Sequence, residues 1–239
     1  IGLLDDKYKV SSLVRFLSQL FTVLILLLIS PFFMEIMTER IFFTTCLFFI
    51  FILIFGSALI NFINFMDGID GLVAGCILVF IASIAFILNS YIFLISASLI
   101  GFLVWNWNPA KVFMGDTGST FLGSISIGYL LQITDLQNLF GCILVLFPLL
   151  ADCIICLAIR LFYRQNIFKP HKLHLYQRLN QGGLNQRIIV IIYISASLIS
   201  SFIFLNYNLI FQLSYSLIIL VIGFYLNKKY AIKFSSKIN

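Results

Sequence analysis

Of 239 residues, 62% are apolar and only 10% are charged, and the mean hydropathy is +1.10. A composition this apolar excludes a water-soluble domain and requires an integral membrane protein. The net charge of +6 is explained below by topology, so it gives no reason to expect nucleic-acid binding.

Phe is abundant, Pro is scarce, and the two-residue alternation of an outer-membrane barrel is missing. The predicted fold class is therefore all-α: a polytopic membrane helix bundle forming one domain over residues 1–239. Ile1 opens the chain in place of an initiator Met, with no signal peptide, so the expectation is a piece of a longer protein. Crossing about 30 Å of hydrocarbon takes roughly 17 to 25 apolar residues. Eight runs are read as spans: Leu13 to Phe33, Phe42 to Ile60, Leu72 to Leu88, Tyr91 to Trp107, Ser119 to Ile133, Leu139 to Ile159, Ile188 to Leu205 and Leu209 to Leu226. Trp105 and Trp107 suit an interfacial belt at the end of the fourth. The five Cys are scattered through apolar segments and read as small buried hydrophobes. Cys153 and Cys156 form a C-x-x-C within an apolar helix, with no second ligand pair to suggest metal or redox chemistry.

With a cytoplasmic N-terminus, the inner segments are 1–12, 61–71, 108–118, 160–187 and the tail 227–239. Together with Arg15 they hold fourteen of the fifteen Lys and Arg residues, leaving only Arg40 outside. That bias fixes the orientation. It also places Asp5, Asp6, Asp67, Asp70 and Asp116 on the cytoplasmic side, with Glu35, Glu39 and Asp135 outside and Asp152 within the sixth span.

Four motifs lie on that inner side. G-L-L-D-D-K carries adjacent carboxylates, Asp5 and Asp6, which point in different directions, so that one can hold a cation or a base while the other orients a neighbour; capping of a helix is the alternative. N-F-I-N-F-M-D-G-I-D-G-L, from Asn61 to Leu72, sets Asp67 and Asp70 between two nearly uncharged runs. Acids at the membrane edge are costly and default to a functional reading, and Gly68 and Gly71 allow a ligand to approach the backbone closely. N-P-A-K-V-F-M-G-D-T-G-S-T, from Asn108 to Thr120, combines glycines, hydroxyls and a helix start into a phosphate cradle, with Lys111 nearby and Asp116 as a natural Mg²⁺ ligand. K-P-H-K-L-H-L-Y-Q-R-L holds both histidines, His171 and His174, spaced to share a helix face beside Lys172 and Arg178. Zinc wants at least three ligands and no Cys is near in sequence, so anion binding is preferred there. Acids for a divalent cation, cations for phosphate and glycines for close approach suit phosphoryl transfer to a membrane-resident partner.

These motifs resemble the polyprenyl-phosphate N-acetylhexosamine-1-phosphate transferases, and G-x-x-D-D looks like that family's first aspartate motif. The resemblance touches four separated segments in the family's order. It implies transfer of a sugar 1-phosphate from a UDP-sugar to polyprenyl (undecaprenyl) phosphate, releasing UMP, with Mg²⁺ or alternatively Mn²⁺ as cofactor. It places the protein in the bacterial inner membrane with its site facing the cytoplasm, leaves a homodimer open, and implies that a few N-terminal helices precede this stretch. Asp116 would ligate the metal with Asn61, and Asp5 or Asp6 would deprotonate or position the lipid phosphate. Asn61, Asn64, Asp67 and Asp70 would hold the nucleotide and diphosphate, with Asp67 also counted among the catalytic acids. Phe113 would stack on uracil, and His171 with His174 would bind the sugar-phosphate side, assisted by Lys111 and Arg178. H-K-L-H-L-Y-Q-R, in place of a run of consecutive His, resembles the branch that initiates O-antigen or other surface glycans.

The rival reading is a transporter or lipid flippase, which predicts acids spread across the membrane depth and an internal repeat. A purely structural membrane subunit is a third option, and it leaves the Asp and His clusters unexplained. Asp152 is expected in a structural role, paired with Arg160 two turns later.

Overall fold

A computed structural model describes residues 2–8, 10–33, 42–166 and 171–234, with side chains of the second long stretch described from Thr45 onward. Lys9, Glu35, Glu39, Arg40, Lys169 and Lys237, all used in the topology argument, lie outside the described residues. The protein is an all-α membrane helix bundle, and among the described residues there is no strand. In chain order the helices are α1 (Gly2–Tyr8), α2 (Ser12–Leu28), α3 (Phe42–Phe65), α4 (Leu72–Ile87), α5 (Phe93–Asn106, entered through a 3₁₀ turn at Ser90–Ile92), α6 (Gly115–Leu130), α7 (Leu136–Val145), α8 (Phe147–Phe162), α9 (Leu175–Gln181), α10 (Gln186–Asn206) and α11 (Leu209–Lys229).

Each predicted apolar run is helical, but the runs differ in reach. Among the described residues Thr45–Phe65, Gln186–Asn206 and Leu209–Lys229 are long and apolar enough to cross a membrane, and α7 with α8 makes a fourth if the bent pair counts as one span. Ser12–Leu28, Leu72–Ile87 and Ser90–Asn106 are shorter apolar helices.

The sixth run, expected as one helix, turns by 72° between α7 and α8. Pro148 accounts for the break, because it stands in the first turn of α8 and has no N–H to offer the carbonyl of Leu144 four residues earlier. Ser200 Oγ on α10 donates to that carbonyl instead, at 2.9 Å, and Gln212 Nε2 on α11 donates to Gly141 O at 2.9 Å. In hydrocarbon a freed carbonyl needs such a partner.

α4 is apolar on every side and is buried on most of them from Leu72 through Ala85, with Leu78 and Ala82 partly exposed and α5, α6, α7 and α10 packed around it. α2, α10 and α11 lie further out and turn side chains such as Phe21, Phe202 and Phe224 outward, as a lipid-facing surface requires. The tightest pairing is α3 against α6, with α1 laid across α6 and α2 against α3. That pairing brings the two Gly-Asp motifs together, because the first motif ends α3 and the second begins α6.

Candidate functional site

α3 runs past the predicted membrane boundary to Phe65, so Asn61 and Asn64 are helical and stand nearly one turn apart. Asn64 Nδ2 donates to Asp116 Oδ1 at 2.9 Å and to Ser119 Oγ at 2.8 Å. Asn61 does not reach Asp116. Its amide forms a reciprocal pair with Gln19 of α2, Asn61 Nδ2 to Gln19 Oε1 at 2.6 Å and Gln19 Nε2 to Asn61 Oδ1 at 3.2 Å. An amide deeper in an apolar bundle has to be paired, and Gln19 supplies the partner. Asn64 is thus the amide hydrogen-bonded to Asp116, while Asn61 lines the same cleft from its pairing with Gln19.

Asp5 and Asp6 diverge as expected. Asp5 is buried and accepts from Val10 N and from Arg15 Nη1, both at 2.7 Å. The same Arg15 nitrogen stands 3.7 Å from Asp116 Oδ2, so one guanidinium sits between two carboxylates. Asp6 caps α6. Its oxygens accept from Asp116 N at 3.0 Å, Thr117 N at 3.2 Å and Thr117 Oγ1 at 2.5 Å. The amides expected to cradle phosphate are thus taken by Asp6, a carboxylate well placed at a helix N-terminus. The Thr117 hydroxyl, with those amides, holds the Asp6 carboxyl below the usual range. Gly115 has φ of +65°, and a Cβ there would lie 3.2 Å from Asp6 Oδ2, so both its conformation and the approach of α1 favour glycine.

Asp67 follows α3 and is half-buried. Burial first, then the charges of Asp116 and Asp70, push its carboxyl up to about 7. Asp70 is occupied elsewhere: its Oδ2 accepts from Asn108 Nδ2 at 3.1 Å and Ala110 N at 3.0 Å, which ties the two motif loops together. Asn106 adds to that tie by accepting from Gly71 N and donating to Val112 O, both at 2.9 Å.

The histidines are not on a helix. Residues 171–173 are irregular and His174 is the N-cap of α9, yet the two rings stack with centroids 4.9 Å apart. Burial, followed by the charges of His174 and Arg160, pushes His171 down to about 4, so it is neutral near pH 7 and meets an anion by hydrogen bonding rather than by charge. Asp152 does not bridge to Arg160. Its carboxylate accepts from Leu175 N at 2.7 Å, Tyr176 N at 3.1 Å and Tyr193 Oη at 2.7 Å, so it anchors the start of α9. Arg178 turns its guanidinium to Leu173 O and Ile232 O, each at 3.0 Å, and is buried. Lys111 lies over the Trp105 ring at 5.3 Å, and Phe113 is 74% exposed.

A cleft of about 740 Å³ opens among α1, α2, α3, α6 and the segment before α9. Asp5, Arg15, Asn61, Asn64, Asp116, His171 and His174 line it. Asp6 and Asp67 stand next to this group, while Asp70, Lys111, Phe113 and Arg178 are not on its wall. Arg15 and Gln19 escaped the sequence reading as site residues, although a signal was present. Ser12, Arg15, Gln19 and Thr22 form a polar stripe at helical spacing on a mostly apolar helix, and all four face the cleft together with Ser18. The oxygen donors around Asp116 fit a hard cation such as Mg²⁺, which accepts carboxylate, amide and phosphate oxygens. The structure itself supplies positive charge there through Arg15.

The profile of glycosyl transferase family 4 matches residues 1–134. Over 208 residues the chain is 35% identical to the Bacillus subtilis (strain 168) protein named Probable undecaprenyl-phosphate N-acetylglucosaminyl 1-phosphate transferase, covering 80% of this chain and 58% of that one. It is 25% identical over 245 residues to Decaprenyl-phosphate N-acetylglucosaminephosphotransferase of Mycobacterium leprae (strain TN), covering 84% and 60% of the two chains. It is 32% identical over 162 residues to Phospho-N-acetylmuramoyl-pentapeptide-transferase of Staphylococcus haemolyticus (strain JCSC1435), covering 64% and 50%. The chain thus spans 50% to 60% of the length of these curated relatives.

Proposed function

The chain belongs to glycosyl transferase family 4, and on that premise we propose that it transfers an N-acetylhexosamine 1-phosphate from a UDP-sugar to polyprenyl phosphate, giving polyprenyl-diphospho-sugar and UMP. The observation that carries this reading is the convergence of Asp5, Arg15, Asn64 and Asp116 on one cleft that the His171 and His174 rings also face. A cleft of carboxylates, amides and one guanidinium at the end of an apolar bundle suits a donor that is polyanionic and an acceptor whose phosphate sits at the membrane surface. Mg²⁺ bound at Asp116 would neutralise the diphosphate and favour departure of UMP.

The protein residues divide the remaining tasks. Asn64 orients Asp116 through its 2.9 Å hydrogen bond. Asp6 is spent on the start of α6, which fits a positioning role for that carboxylate better than proton removal. Asp67, with its carboxyl near 7, is the acid best matched to accept the proton of a phosphate monoester at neutral pH. His171 and His174 line the side of the cleft taken by the sugar phosphate, where half-buried His171 would offer an N–H. A single in-line displacement by the lipid phosphate needs no covalent enzyme intermediate. The basic bias of the inner segments supports a plasma-membrane protein with this cleft toward the cytoplasm. The H-K-L-H-L-Y-Q-R segment supports a role in starting O-antigen or another surface glycan.

The test is direct. Membranes carrying the protein are incubated with undecaprenyl phosphate, Mg²⁺ or Mn²⁺, and UDP-GlcNAc, UDP-GalNAc or UDP-MurNAc-pentapeptide in turn. UMP release that needs both lipid and divalent cation, and disappears in Asp116→Asn, is the expected result. UMP release with the pentapeptide donor alone would remove the surface-glycan assignment, and release independent of lipid would remove the acceptor.

A further inference from the structure

We propose that Cys156, His171 and His174 form a binding site for a thiophilic divalent metal of the Zn²⁺ type, distinct from the oxygen-donor region at Asp116. Sequence spacing hides this cluster, because the thiol comes from α8 and the imidazoles come from the segment that returns to cap α9. In space, one ligand atom from each of the three residues lies within 4.8 Å of the other two. A tetrahedral Zn²⁺ with bonds of about 2.0 to 2.3 Å draws such atoms to roughly 3.3 to 3.6 Å apart. The required closure is about an ångström at most, and residues 171–173, which belong to no helix, can shift without breaking helical hydrogen bonds.

The surroundings point the same way. His174 is 2% exposed and its Nδ1 has no hydrogen-bond partner, although Asp152 Oδ1 stands 3.6 Å from it. A carboxylate behind a buried imidazole is the usual outer support of a metal-bound histidine, fixing its tautomer and ring orientation. Asp152 is itself held by Leu175 N, Tyr176 N and Tyr193 Oη, so this support is rigid. Cys153, the other half of the C-x-x-C, is not part of the cluster, and its Sγ donates to Phe62 O at 3.4 Å. One sulfur and two nitrogens select Zn²⁺, Co²⁺ or Cu⁺ over Mg²⁺, whose preferred donors are oxygens. His171 and His174 line the polar cleft and Cys156 lines the apolar groove behind it, so the cluster forms part of the wall between them. Three protein ligands leave a fourth position, open to water or an anionic oxygen from the cleft. On binding, the Cys156 thiol loses its proton to solvent and its sulfur bonds the metal with no change in oxidation state.

The test uses the whole chain, purified in detergent and stripped with a chelator, and reads Co²⁺ titrations by absorbance. The expected result is one equivalent of Co²⁺ with a thiolate-to-metal charge-transfer band, reversed by Zn²⁺ and not by Mg²⁺. Cys156→Ser removes the band, Cys153→Ser keeps it, and His171→Asn, at a half-buried position, weakens binding at least about tenfold. A wild-type protein with no charge-transfer band overturns the proposal, as does a band that survives Cys156→Ser or vanishes in Cys153→Ser. The measurement needs neither donor nor acceptor, so its outcome is independent of the transfer assay.

Discussion

Asn64 and Asp116, 52 residues apart in sequence, are joined by a 2.9 Å hydrogen bond from Asn64 Nδ2 to Asp116 Oδ1. Through it the end of α3 sets the direction of the acid that begins α6, with Ser119 Oγ accepting the other amide hydrogen at 2.8 Å. Replacing Asn64 by Ala leaves Asp116 in place but free to rotate. Transfer by Asn64→Ala falls about a hundredfold while the melting temperature stays close to wild type, since the reacting group is misplaced rather than lost. Turnover and thermal unfolding on the same preparation check this, and unchanged turnover would remove Asn64 from the site.

Arg15 competes with a divalent cation for the same charge. Its Nη1 lies 2.7 Å from Asp5 Oδ2 and 3.7 Å from Asp116 Oδ2. Arg15→Gln deletes a positive charge next to Asp116 and should lower the half-saturating Mg²⁺ concentration for transfer by about threefold or more, even as maximal turnover drops. A metal requirement that rises instead would show that Arg15 acts with the cation and not in its place.

The stability of the protein should depend on Asp67 in a defined pH window. Its carboxyl stands at about 7 in the folded chain and near 3.9 when unfolded. Between those values the folded state holds the proton and the unfolded state has released it, so stability falls as pH rises through the window and levels off above about 7. Asp67→Asn removes this penalty. The variant should exceed wild type by about 2 kcal/mol near pH 8, with the gap closing toward about pH 4. Unfolding curves in detergent across that range decide the point, and a constant gap would assign the effect to packing.

Gln19 and Asn61 pair only with each other across α2 and α3, apart from a 2.9 Å bond from Asn61 Nδ2 to Ser57 O. Gln19→Leu removes the reciprocal partner of the half-buried Asn61 amide and costs about 0.5 to 1.5 kcal/mol. The double variant Gln19→Leu with Asn61→Leu restores most of that loss, because no polar group is left unpaired. Equal loss in the single and double variants would mean that the pair does not bear on stability.

A Cβ at Gly68 would collide with the hydroxyl of Tyr176, which donates to Phe65 O at 3.1 Å. Gly68→Ala therefore loosens the contact between the first Gly-Asp loop and α9, at about 1 to 3 kcal/mol, and adding Tyr176→Phe recovers part of it. Melting of the single and double variants measures both effects.

The sequence by itself determined the class of the fold. Hydropathy alone makes an apolar run of membrane length helical, because hydrocarbon offers the backbone no other partners. Asp5, Asp116 and the histidines were visible as candidates because charge and imidazole are conspicuous among Leu, Ile and Phe. Even the break in the sixth run was written in Pro148, whose missing N–H leaves Leu144 O to Ser200. Only the tertiary structure decided which candidates share a cleft. Asn61 and Asn64 look interchangeable in the chain, yet a helix turns them to different neighbours, Gln19 for one and Asp116 for the other. Asp70 and Arg178 are as conspicuous as their neighbours but spend their charges on Ala110 N and on the carbonyls of Leu173 and Ile232. Cys156 joins His171 and His174 only because α9 folds back onto α8. Hydrogen-bond partnership is a property of distances a few ångströms long, and residues far apart in the chain acquire such distances only through packing.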